Sequence, residues 1–117
     1  MKPTKKDFDF FKECCLEYIK KYQLNNWTFR FHFEGDGKRE EQAAYVVRNR
    51  ENLQADIYLD SRYSFTDRED IRQSAKHEII HCLIGELYLL GINREMNLDE
   101  IDRAEEELVH KLEEFLP

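Results

Sequence analysis

The stretch Lys76-His77-Glu78-Ile79-Ile80-His81-Cys82-Leu83-Ile84-Gly85 decides how the rest of the chain is read. Its two histidines are four residues apart, so on a helix they leave the same face one turn apart. Two imidazoles placed like that can bind one metal ion. Glu78 follows the first of them, where its carboxylate can reach a water on that metal without being a ligand itself. The plainer alternative is a pair of core histidines. From Ile79 to Leu90 the sequence is apolar nearly all round, which predicts a helix running through the middle of a domain. Such a helix is a poor place for two unpaired imidazoles, and the expectation is one zinc ion per chain.

Outward from the motif, Thr66 and Glu69 form a capping-box pattern that opens a helix of about 67–90, and Gly91 is placed to stop it. On the N-terminal side a first helix spans about 5–23. Thr4 caps it, with Asp7 three residues on, and Phe8, Phe11, Cys15, Tyr18 and Tyr22 form one stripe. From Trp27 to Phe33 the period changes to two, with Trp27, Phe29, Phe31 and Phe33 on one face. Gly35-Asp36-Gly37 is a turn signal. A second strand follows at about Ala43 to Arg48, and Asn49 to Asn52 is another turn. The third strand, about Leu53 to Leu59, puts Leu53, Ala55, Ile57 and Leu59 on one face. Short connections predict an antiparallel meander. After Gly91, Asn97 and Glu100 form a third capping pattern, opening a last helix of about 98–115. The whole reads as one α+β domain over residues 1–117, with a three-stranded antiparallel sheet.

Zinc needs a third protein ligand and an open position for water. The longer motif with a Gly and a third His soon after does not fit, because Gly85 comes one residue late and no His follows before His110. A carboxylate on the last helix is the remaining source. The apolar stripe there is Leu98, Ile101, Leu108, Leu112 and Phe115, and the spacing calls for an apolar residue at 105, where Glu105 stands. A charge where the stripe demands a hydrophobe is informative, since a buried carboxylate needs a partner or a metal. The alternative is that Glu105 begins a solvated acidic run with Glu106 and Glu107, which point away from the stripe. Asp102, at the stripe's edge, could accept from a ligand histidine. Tyr58, Tyr63 and Tyr88 could each polarise a carbonyl group, and the sequence does not choose among them. His32 falls on the polar face of the first strand, and Cys82 reads as a buried thiol.

Composition narrows the partners. A net charge of −7 over 117 residues, with no large basic stripe, does not favour nucleic acid or an anionic membrane surface. No run of about 20 apolar residues exists to span a bilayer. The three cysteines, Cys14, Cys15 and Cys82, are odd in number and two are adjacent, which suits reduced thiols better than disulfides. With no apolar run behind Met1-Lys2-Pro3-Thr4-Lys5-Lys6-Asp7, a secretory signal is not expected, and the chain reads as cytoplasmic.

The His77-Glu78-Ile79-Ile80-His81 helix, the helix and three strands before it, and the glutamate-bearing helix after it resemble the minimal gluzincins, or minigluzincins. They also resemble small metallopeptidases common in phage and prophage genomes. The resemblance implies a minimal zincin-like fold and zinc held by His77, His81 and Glu105, with Glu78 as general base and acid. It further implies a peptide or protein substrate bound as an added strand on a sheet edge, taken here as the third strand. Two readings follow. One is a zinc peptidase, which the intact Glu78 favours. The other is a zinc-binding interaction module that does not cut, favoured by the lack of a visible oxyanion donor.

Overall fold

The computed structural model describes residues 1–35, 42–49, 52–85 and 98–116. Its elements are α1 (Lys5–Lys21), β1 (Thr28–Phe33), β2 (Ala44–Asn49), β3 (Gln54–Leu59), α2 (Arg68–Leu83) and α3 (Leu98–Phe115). Asp36, Gly37, Tyr88, Gly91 and Asn97, with the expected helical span 86–90, lie outside the described residues.

Helix α1 starts where its cap dictates. Thr4 Oγ1 accepts from Asp7 N, and an Asp7 carboxylate oxygen accepts from Thr4 N, so two donors of the first turn are satisfied reciprocally. Helix α2 begins one residue later than its capping pattern suggests. Asp67 is the N-cap and accepts from Asp70 N at 2.9 Å, while Asp70 in turn accepts from Thr66 N. An aspartate whose short side chain accepts from N3 outcompetes the threonine before it.

The sheet is mixed, not antiparallel. Its order is β1-β3-β2, with β1 parallel to β3 and β2 antiparallel to β3. The expected meander placed β2 in the centre, and the expected edge, β3, is the central strand. The reason lies in burial. Ala55, Ile57 and Leu59 of β3 are all fully buried, whereas Phe29, Phe31 and Phe33 of β1 and Ala44 and Val46 of β2 are only partly so. The strand whose inner face is wholly apolar gains most from neighbours on both sides. β2 therefore pairs antiparallel with the strand that follows it in sequence, and β1 takes the other side of β3.

One row across the inner face is Phe31, Ile57 and Val46, and another is Phe29, Ala55 and Arg48. A charged residue therefore ends the core face of β2. On the opposite face His32, Tyr58 and Tyr45 stack as a ladder, with centroids 4.5 and 4.6 Å apart. His32 is half-buried there, with Nε2 2.8 Å from Asp56 Oδ1.

Helix α2 lies between the other layers. Ile71, Ala75, Ile79 and Cys82 join the main core with α1 and the sheet, while Ile80 and Ile84 meet Val109, Leu112 and Leu116 of the α3 segment. Lys76 fixes the far end of that second contact. Its stem is buried and its Nζ donates to the carbonyls of Glu113 and Leu116, at 2.7 and 2.5 Å, at the C-terminal end of α3 where carbonyls lack partners within the helix. Lys76→Met keeps the apolar stem and removes the donor. It should lower stability by about 1–2 kcal/mol in urea unfolding, with hydrogen exchange quickening first in α3.

Candidate metal centre

Helix α2 presents His77 and His81 on the side facing α3, and their Nε2 atoms lie 3.2 Å apart. Three carboxylates of α3 address the four ring nitrogens. Glu113 Oε1 hydrogen-bonds His77 Nδ1, and Glu105 Oε2 lies 3.2 Å from His81 Nδ1. Glu106 bridges the remaining pair, with Oε1 3.0 Å from His77 Nε2 and Oε2 3.1 Å from His81 Nε2. Each Nδ1 is thus held by an acceptor, and the two Nε2 atoms converge with one carboxylate.

These distances suit a tetrahedral zinc ion. Ligand atoms about 2.0–2.1 Å from such an ion stand roughly 3.3 Å from one another. An acceptor on the far nitrogen of each ligand histidine is also what zinc sites commonly use to fix the tautomer. The donor set, two imidazoles and a carboxylate, fits the metal.

Glu78 lies on the inner side of this group, its carboxylate among donor atoms that all fall within 4.8 Å of one another with those of His77 and His81. It is buried, and its Oε2 has no hydrogen-bond partner among the described residues. Burial, and next the negative charge of Glu106, push its carboxyl well above the usual carboxylate range. Glu105 goes the other way. Burial works to raise it, but hydrogen bonds from His81 and Arg48 outweigh that and hold its carboxyl below the usual range.

The sequence reading placed Glu105 in the core and Glu106 away from it. The structure brings both to the histidines, in different roles. Glu105 is held by Arg48, at 2.6 and 2.8 Å, and reaches only Nδ1 of His81. Glu106, with 47% of its side chain exposed, borders a cleft of about 550 Å³ that also takes in His77, Glu78, His81 and Tyr63. Asp102 is exposed, and Tyr58 lies on the outer face of the sheet. Of the tyrosines weighed from sequence, Tyr63 is on the cleft wall.

The chain matches no family model, no curated protein and no solved structure.

Two residues that sequence reasoning passed over belong to the site. Arg48 continues the inner-face alternation Ala44, Val46, so a charge at a core position marked it, just as it marked Glu105. His110, one turn beyond Glu106, reaches the mouth of the cleft, its ring centroid 5.2 Å from that of His77. No helix among the described residues is long and apolar enough to cross a membrane.

Cys82 sits beside His81 but faces the main core, as do Cys14 and Cys15, and all three thiols are free and buried. Burial pushes the Cys82 thiol up to about 12. A thiol reagent such as DTNB should therefore leave all three unmodified in the folded protein between pH 7 and 9 and label three per chain in denaturant. Rapid labelling of Cys82 in the native state would contradict its placement.

Proposed function

We propose that the chain is a zinc-dependent peptidase of minimal zincin-like type, with zinc held by His77, His81 and Glu106 and with Glu78 as general base. The observation that carries this is the convergence of two Nε2 atoms and one carboxylate at 3.0–3.2 Å beside a buried Glu78 whose Oε2 has no partner among the described residues. Glu106 is preferred to Glu105 as third ligand because both oxygens of Glu105 are already bound by Arg48.

Zinc in this setting supplies Lewis acidity and lowers the pKa of a water toward neutrality. The chain's own residues do the rest. Glu105 and Glu113 accept at the two Nδ1 atoms and so leave the Nε2 lone pairs free for the ion. Glu78, whose Oε2 has an unused lone pair at the inner wall, takes the proton from water and delivers it to the departing amine. That oxygen faces the group formed with His77 and His81, where a water held between them would meet it. Tyr63 and His110, at the cleft, supply hydrogen-bond donors for the substrate carbonyl.

β2 is an edge strand of the sheet, and Ala43 and Ala44 at its start line the cleft. A peptide laid along β2 as an added strand would bring its backbone past Glu78. This replaces β3, whose two sides are taken by β1 and β2.

Metal analysis of protein resupplied with zinc should find one ion per chain. Zinc at a hundred times its dissociation constant should add about 2.7 kcal/mol of stability, lost on chelation. Glu106→Ala should abolish tight binding. If Glu105 were the third ligand, Glu106→Ala would instead bind zinc almost normally. Glu78→Gln should keep its zinc and lose peptide hydrolysis by about two to three orders of magnitude. Zinc binding with no turnover of any peptide library would leave the non-cutting interaction module as the function.

A further inference from the structure

The ion pair of Arg48 and Glu105 stands apart from the ligand set. Each side chain is 8% exposed, and they meet through two parallel bonds, Nη1 to Oε1 and Nη2 to Oε2. Fold stability is a poor reason for such a pair. Taking two charges out of water costs about as much as their attraction returns, and apolar residues of similar volume often hold a fold better.

What the pair touches is His81, at two points. Arg48 Nη1 also donates to the His81 carbonyl at 2.6 Å, and Glu105 Oε2, the oxygen bound by Nη2, is the one that lies 3.2 Å from His81 Nδ1. One guanidinium therefore holds the main chain of His81 directly and its ring through a carboxylate. Gly85, one turn on, lies beside the guanidinium and against Trp27. A Cβ there would be at ordinary contact distance, 3.7 Å, from Arg48 Nη1 but 3.1 Å from the Trp27 ring, so it is the tryptophan that the glycine accommodates.

We propose that Arg48 and Glu105 are positioning residues for His81, a clamp from the edge strand that fixes the Nδ1–H tautomer and aims Nε2 at the metal position. This rests on the zinc reading above. Glu105 accepts the Nδ1 proton. Arg48 balances the carboxylate's charge and, through its rigid two-pronged fork, sets the angle at which that carboxylate meets the ring. Without the clamp the ring could rotate or present Nδ1, and two imidazoles would no longer converge.

The test separates positioning from fold support. In the double variant Arg48→Met/Glu105→Leu the buried charges are replaced together, so the apo-protein should unfold at the same urea concentration or higher. It should still take one zinc per chain, with affinity about 10- to 100-fold weaker by competition with a chromophoric chelator. The visible absorption of its cobalt(II) form should change in position or intensity, a readout that mere fold support would not move. Arg48→Lys keeps the charge and loses the fork, and should weaken zinc binding with little change in apo stability. It serves also if the double variant does not fold. Unchanged zinc affinity and an unchanged cobalt spectrum in both would overturn the clamp. So would a Glu105→Gln variant that binds no zinc beside a Glu106→Ala variant that does, because Glu105 would then be a ligand. A parent protein that binds no zinc at all would refute the underlying reading instead, which is a different result.

Discussion

Two imidazoles one helical turn apart converge only if something holds each ring at its other nitrogen, and in this chain a neighbouring helix does so. The contact of α2 with α3 is therefore what the site depends on. Its apolar part, among the described residues, sets Ile80 and Ile84 against Val109, Leu112 and Leu116. Its polar part does as much of the positioning, since Lys76 grips the last carbonyls of α3 and Glu105, Glu106 and Glu113 meet the histidines. The two parts share one helix by rotation. Glu105, Val109, Leu112 and Leu116 follow one another at four- and three-residue steps toward the core, and Glu106, His110 and Glu113 follow at the same steps one residue round, toward the cleft.

That rotation explains what the sequence could and could not reveal. The apolar stripe of α3 marks which residues face inward, and Glu105 is one of them. It cannot say what waits there. A buried carboxylate needs a partner or a metal, and the partner was written elsewhere, as the charge that ends the inner face of β2. The two out-of-place charges, Arg48 and Glu105, answer each other across 57 residues. Nor does the stripe exclude Glu106. Adjacent helical residues point about 100° apart, yet an imidazole has two nitrogens on different sides of its ring. Glu105 and Glu106 address one each on His81.

The fold was legible to the same depth. Caps and periodicities gave α1, the three strands and the start of α2 to within a residue or two, because these are local matters of hydrogen bonding and side-chain direction. Strand order was not legible. A period of two says which side chains share a face, and is silent on which strand lies beside which. The clue available was the quality of each face. Ala55, Ile57 and Leu59 are uniformly apolar, while β2 ends its inner row with Arg48, which suits a strand bordering a polar site.

Charge brings these strands together. Four carboxylates, those of Glu78, Glu105, Glu106 and Glu113, surround the two imidazoles, and Arg48 neutralises one of them. Burial drives the Glu78 carboxyl upward, and the negative charges of Glu106 and Glu113 add to it. A set of negative groups packed at this density is costly as a structural device, and apolar residues would serve a helix contact better. The same set is suited to a divalent cation, which offsets the repulsion at its centre. The arrangement also keeps the carboxylate that would ligate at the open side and the one that would accept a proton at the closed side. Glu106 is half exposed beside the cleft, while Glu78 is buried, and its Oε2 has no hydrogen-bond partner among the described residues. A carboxylate oxygen left without a hydrogen bond at such a place would keep its lone pair free for a water, and on the peptidase reading proposed above that is what burial of a glutamate in the central helix would provide.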